Sequence, residues 1–130
     1  MKILVVDDEK DIKSLFEQRF RKEIRNNDLE FSFAFSGEEA LICMENYLHE
    51  AVLILSDINM PGMSGLDLLE RIKKKNHTPP PVVMMITAYG DTDNYKRAME
   101  LGADDFLTKP VDFNVLKEKI KTLGSNDMAW

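Results

Sequence analysis

The sequence predicts an α/β fold of the doubly wound (βα)5 kind, a three-layer sandwich with a five-stranded parallel sheet between helices. Three observations carry this expectation. Short apolar runs alternate with segments of helical period from Met1 to about Leu123 of the 130 residues. Most of these runs are apolar throughout and rich in β-branched residues, as in strands buried on both faces. Four of them end on polar or charged residues: Val6 on Asp7-Asp8, Ser56 on Asp57, Ile86 on Thr87 and Thr108 on Lys109. In such sheets ligands bind beyond the carboxyl ends of the strands.

The first strand covers Met1 to Val6. Ile12, Leu15, Phe16, Phe20 and Ile24 then recur at three- and four-residue steps, giving one helix with a single apolar face, which Asn26-Asn27-Asp28 breaks. Leu29, Phe31, Phe33 and Phe35 alternate with Glu30, Ser32 and Ala34, the pattern of a strand with a more exposed face at a sheet edge. Ser36-Gly37-Glu38-Glu39 matches a capping box and opens a second helix through about His49. The third strand, Ala51 to Ser56, meets Asp57; a loop with Pro61, Gly62 and Gly65 leads to a helix from about Leu66 to Lys75. Prolines stiffen the connector Asn76 to Pro81. The fourth strand ends at Ile86, and the fourth helix runs from about Thr92 to Leu101, with Gly102 as its stop. After the strand Asp105 to Thr108, Asp112 is placed to cap the last helix. That helix buries Phe113, Leu116, Ile120 and Leu123 and is expected to end at Gly124. Right-handed crossovers between parallel strands put helices on both faces of the sheet.

The length suits one domain, assigned to residues 1–123, with 124–130 as a tail or the start of a linker. Lys and Arg number 17 against 23 Asp and Glu, a net charge of −6, so the basic footprint of a nucleic-acid binder is missing. No apolar run approaches the roughly 20 residues needed to span a bilayer, and the first strand meets Asp7 too soon to be a signal peptide. A single cysteine, Cys43, excludes an internal disulfide and fits the cytoplasm. Met84 and Met85, mid-strand, read as core filler.

Asp7, Asp8 and Asp57 converge if the first and third strands are neighbours. Like charges about 4 Å apart repel by roughly 4 kcal/mol at an effective dielectric near 20, so the trio requires compensation. Lys109 supplies one positive charge and a hard divalent ion, Mg²⁺ foremost, the remaining two. A neutral pocket of this kind tolerates an incoming phosphoryl group, with Thr87 and Lys109 as donors to its oxygens. Phosphoryl transfer to an aspartate needs little more than such positioning and charge neutralisation.

Four motifs stand in order: Val5-Val6-Asp7-Asp8, Asp57-Ile58-Asn59-Met60-Pro61-Gly62-Met63-Ser64-Gly65, Thr87-Ala88, and Gly102-Ala103-Asp104-Asp105-Phe106-Leu107-Thr108-Lys109-Pro110. Each alone is weak; together, and correctly spaced, they are specific. From Ile3 to about Leu123 the chain resembles the response-regulator receiver domains of two-component signalling. The resemblance implies a flavodoxin-like sheet of order 2-1-3-4-5 and Asp57 as phosphoacceptor. It further implies Mg²⁺, or Mn²⁺ in its place, on Asp7, Asp8, Asp57 and the Asn59 carbonyl, with Thr87 and Lys109 on the phosphoryl oxygens. Thr87 and Phe106 become the switch pair, rearranging the face of the fourth helix, fifth strand and fifth helix, here represented by Tyr95, Lys96, Met99 and Lys117. Phe106 stands where the family often has tyrosine, which rules out a switch hydrogen bond from that ring. Asn59 and Tyr89 occupy positions that tune phosphoaspartate hydrolysis, and Lys109-Pro110 resembles the family's cis peptide. The implied partners are a histidine kinase or phosphotransfer protein and an effector domain or protein, with a homodimer through the output face as a further arrangement. Direct nucleic-acid or membrane binding is not expected, and the role is regulatory, limited to the domain's own phosphorylation and dephosphorylation.

Three other classes remain open on the residues. A receiver-like docking module that takes no phosphate is opposed by the intact set Asp7, Asp8, Asp57, Thr87 and Lys109. A Mg²⁺-dependent phosphohydrolase with an aspartyl nucleophile usually carries a second acid two residues on, where this chain has Asn59. A flavin-binding electron carrier would need a Ser/Thr/Gly phosphate loop after the first strand. His49, His77 and Lys73-Lys74-Lys75 read as solvated, and Cys43 as buried rather than reactive.

Overall fold

A computed structural model describes residues 1–46, 51–75 and 80–127. The elements are β1 (Lys2–Val6), α1 (Asp11–Arg19), α2 (Arg21–Arg25), β2 (Glu30–Ala34), α3 (Gly37–Asn46), β3 (Ala51–Asp57), α4 (Gly65–Lys74), β4 (Val82–Thr87), α5 (Thr92–Glu100), β5 (Asp105–Thr108) and α6 (Phe113–Asp127). All strands pair in parallel in the order β2-β1-β3-β4-β5, so β2 lies at an edge, as its alternation predicts.

The two-residue period of the strands divides the apolar side chains into two cores. Leu4, Val6, Ile54, Val83 and Met85 pack under α3, α4 and α5, against Ala40, Leu68, Leu69, Ile72 and Ala98. Ile3, Val5, Leu53, Leu55, Met84 and Ile86 point the other way, to Phe16 and Phe20 of the first helical segment and Leu116 and Ile120 of α6. Met84 and Met85 are therefore both core, on opposite faces. At the β2 edge Phe31 and Phe33 meet Phe16 at ring centroids of 5.7 and 6.2 Å, extending the second core to the margin of the sheet.

Caps explain several of the helix ends. Ser36 Oγ accepts from Glu39 N (3.0 Å), forming the hydroxyl half of the expected box, and both halves of such a box occur between Ser64 and Asp67 at the start of α4. Asp112 Oδ1 accepts from Asn114 N (2.9 Å) and Val115 N (3.3 Å), capping α6 as expected. Gly102 takes φ 95° while its N–H and that of Ala103 return to Met99 O and Ala98 O, the glycine-closed end that stops α5.

Two expectations are corrected. The first helix is not continuous: Phe20 (φ −109°, ψ 21°) separates α1 from α2, and Leu15 is 37% exposed rather than core-facing. The bonds Phe20 N to Phe16 O and Ile24 N to Phe20 O, both 2.9 Å, survive the break, so the apolar spacing reads as one helix across it. At the other end α6 passes Gly124 and continues to Asp127. A glycine inside a helix costs only about 1 kcal/mol relative to alanine and is not by itself a stop. The expected end of α3 near His49 and the proline connector at 76–79 lie outside the described residues. Among the described residues no helix is long and apolar enough to cross a membrane.

Candidate functional site

Parallel pairing aligns the strand ends. Val6 is level with Ser56 and Asp57 with Ile86, so Asp7 and Asp57 leave adjacent strands at the same height. Thr87 pairs with Thr108, and Lys109 N donates to Thr87 O (2.9 Å), which brings Lys109 back towards the centre of the edge. The peptide before Pro110 is cis.

Asp7 and Asp57 are buried, at 4% and 3% exposure, whereas Asp8 is open to solvent. One carboxylate oxygen of each lies within 4.8 Å of the other two. Lys109 Nζ binds Asp57 Oδ2 at 2.7 Å, and Asn59 N donates to Asp57 Oδ1 at 3.3 Å. Asp7 Oδ1 accepts from Glu9 N at 2.9 Å. Burial, and then the charge of Asp57, hold the Asp7 carboxyl above its ordinary pKa despite the bond from Glu9. Burial works against the Lys109 ammonium. Its hydrogen bond to Asp57 and the charges of Asp57, Asp7 and Glu9 more than offset that and raise its pKa. Three acids thus share one ammonium, and negative charge is in excess.

That excess is the fit test for a divalent cation. The ligand oxygens of an octahedral Mg²⁺ lie within about 4.2 Å of each other, so the three-carboxylate cluster needs only small adjustments to hold one. The donors are all hard oxygens, which suits Mg²⁺ or Mn²⁺ rather than a thiophilic metal.

The β4–β5 side is built differently. Thr87 is 6% exposed, and its hydroxyl donates to Leu107 O at 3.5 Å, the long limit of a hydrogen bond. Phe106 is half-buried, with its ring 4.3 Å from that of Tyr95 on α5. Tyr89 is 89% exposed and Asn59 also faces solvent. Tyr95, which meets the Phe106 ring, and Met99 further along α5 are both exposed. Lys117 does not join them: it pairs with Glu23 of α2 at 3.2 Å and lies over the Phe20 ring, on the far side of α6. Lys119 takes the near side, bound to Asp105 of β5 at 2.8 Å.

Two residues that shape the site were not singled out in the sequence beyond their place in a loop or a cap. A Cβ at Gly65 would lie 2.7 Å from Ile58 Cα and closer still to the Asp57 carbonyl, so only glycine lets α4 start against the acid-bearing strand. Glu38 Oε1 accepts from Met63 N at 3.1 Å, tying the loop after Asp57 to the start of α3 across 25 residues of sequence. Local pattern carries no signal for a contact at that separation.

The family model of the response regulator receiver domain matches residues 3–121. Response regulator protein PilR of Pseudomonas aeruginosa is 40% identical over 123 residues, which are 93% of this chain and 25% of PilR. A cyclic di-GMP phosphodiesterase of Thermotoga maritima is 39% identical over 120 residues, 92% of this chain and 30% of that protein. The chain spans about a quarter to a half of the length of the curated relatives it matches. Among solved structures, a response regulator receiver domain protein from Clostridium thermocellum superposes with a TM-score of 0.82 at 32% identity, covering 98% of this chain and 97% of that one. With the sheet order and the residues at its edge, these matches identify the chain as a member of the response regulator receiver domain family of two-component signalling.

Proposed function

We propose that this domain is a phosphorylation-driven switch that accepts a phosphoryl group on Asp57 from a histidine kinase or phosphotransfer protein. The observation that carries the reading is the convergence of Asp7, Asp8 and Asp57 at one sheet edge, with Lys109 bound to Asp57. An Asp57 oxygen attacks the phosphorus of a phosphohistidine; the P–O bond forms as the P–N bond breaks, and the imidazole leaves. Asp7, Asp8, Asp57 and the Asn59 carbonyl would hold Mg²⁺, which supplies the charge neutralisation that three carboxylates and one ammonium lack. Lys109 and the Thr87 hydroxyl take the phosphoryl oxygens, and Thr87 gives up only a long bond to Leu107 to do so.

That movement vacates space into which Phe106 turns, away from Tyr95. The output is then read on α5, β5 and the near side of α6, at Tyr95, Lys96, Met99 and Lys119. An effector domain or protein, or a second copy of the domain, engages this face. The receiver takes in residues 1–123 and the continuation of α6 to Asp127. Asn59 and Tyr89, both exposed at the mouth, tune hydrolysis by controlling water. The chemistry is regulatory and confined to Asp57 itself, in the cytoplasm, where the kinase's phosphohistidine is made.

Acetyl phosphate with Mg²⁺ should add one phosphate to the wild-type chain and none to Asp57→Ala, read by intact mass. Modification that survives in the mutant would overturn the assignment.

A further inference from the structure

We propose that Glu38 is a positioning residue for the loop that follows Asp57, and through it for Asn59; the inference rests on the metal site described above. The loop is held at two ends. At its exit, Gly65 N donates to Ile58 O at 2.8 Å, and the missing Cβ lets the first turn of α4 lie on the backbone of Asp57 and Ile58. Over its crown, the start of α3 grips it in two ways. Glu38 Oε1 accepts from Met63 N at 3.1 Å, and its other oxygen lies where a Cβ on Gly62 (φ 74°) would come within 3.3 Å. Beside it, Gly37 lets the Met63 side chain approach so closely that a Cβ there would be 2.8 Å from the sulfur.

Between these two anchors the chain from Asn59 to Ser64 has little freedom left. Asn59 itself reaches Asp57 only through one bond of 3.3 Å. The clamp on α3 therefore sets how often Asn59 presents its backbone to the acid cluster. Ligand orientation by groups outside the coordination sphere commonly tunes metal affinity. Glu38 is exposed, so its effect is that of a single surface hydrogen bond to a charged acceptor rather than of a buried one.

The test is a Mg²⁺ titration followed by amide shifts in wild type, Glu38→Ala, Glu38→Gln and Asp8→Ala. Glu38→Ala should weaken Mg²⁺ binding about fivefold, the equivalent of one exposed hydrogen bond. It should also move the Met63 and Asn59 amides before any metal is added. Glu38→Gln keeps an acceptor oxygen without the charge and should restore most of the affinity and both amide positions. Equal affinity in Glu38→Ala and wild type would overturn the proposal. Glu38→Gln as weak as Glu38→Ala would also overturn it, showing a long-range charge effect in place of a pin. If Asp8→Ala titrates like wild type, the metal lies elsewhere and the underlying site assignment falls, with this inference.

Discussion

The two halves of the sheet edge are built to opposite specifications. On the β1–β3 side, buried carboxylates are held by short bonds: 2.7 Å from Lys109 to Asp57 and 2.9 Å from Glu9 N to Asp7. On the β4–β5 side, the Thr87 hydroxyl rests on a bond of 3.5 Å, and Phe106 leans on a Tyr95 that is 41% exposed. The first region concentrates charge in a rigid frame. The second holds the Thr87 hydroxyl by a single long bond and Phe106 by a half-exposed ring. A ligand can bias two arrangements only by its differential interaction with them, so in the proposed switch recognition belongs to the first side and switching to the second.

The comparison breaks first, and by the largest effect, at the acid cluster. Asp8→Ala removes a proposed hard-ion ligand and one of three carboxylates, and should weaken Mg²⁺ binding by at least about tenfold while leaving the fold intact, since Asp8 is exposed. Calorimetric titration that shows unchanged affinity would remove the metal from this side.

A smaller effect sharpens the electrostatic half of the claim. Asp7 has its pKa raised by burial and by Asp57, so the folded state holds this proton more tightly than the unfolded state. The sign follows: Asp7 destabilises the metal-free fold progressively as pH rises from its ordinary value of 3.8 through the raised one, and the cost is fully present above both. Asp7→Asn should therefore raise the melting temperature at pH 7 without metal, lose that advantage below pH 3.8, and abolish the stabilisation by Mg²⁺ expected of wild type. A lower melting temperature for the mutant at pH 7 would mean that the pocket is not short of positive charge.

The smallest effect is expected at the output face. The Lys119–Asp105 pair is partly exposed on both sides, at 30% and 38%, and such pairs contribute about 0.2–1 kcal/mol. Lys119→Ala should lower stability by no more than that in urea unfolding. A larger loss would show that this face is a structural joint and not an open surface.

The strands and the polar residues that end them were legible because both rest on short-range pattern; the adjacency of β1 and β3, which brings Asp7 to Asp57, came from the resemblance to receiver domains. The even apolar runs at Ile3–Val6, Leu53–Leu55 and Val83–Ile86 mark strands buried on two faces, and the polar residues that follow them fall at one edge by geometry alone. What escaped has no local signature. The break at Phe20 keeps the apolar spacing on both sides, so a period of 3.6 residues cannot detect it. Gly124 resembles a stop, yet the αL turn that makes Gly102 one is absent from its helical continuation to Asp127. Lys117 and Lys119 are two residues apart, so they point to opposite sides of α6, and only the neighbours Glu23 and Asp105 reveal which lysine faces β5. The tie from Glu38 to Met63 joins residues 25 apart and is visible only after folding.

The division between a rigid charged side and a loose switching side is tested most directly by amide shifts of the beryllofluoride complex, which mimics the phosphoryl group, in wild type and Thr87→Ala. Wild type should shift around Asp7 and Asp57, along 87–101 and around Phe106, with β2 nearly unchanged. Thr87→Ala should keep the shifts around Asp57 and lose most of those on α5 and β5. Wild-type shifts confined to Asp7, Asp57 and their immediate neighbours, or distant shifts that survive in Thr87→Ala, would contradict the account.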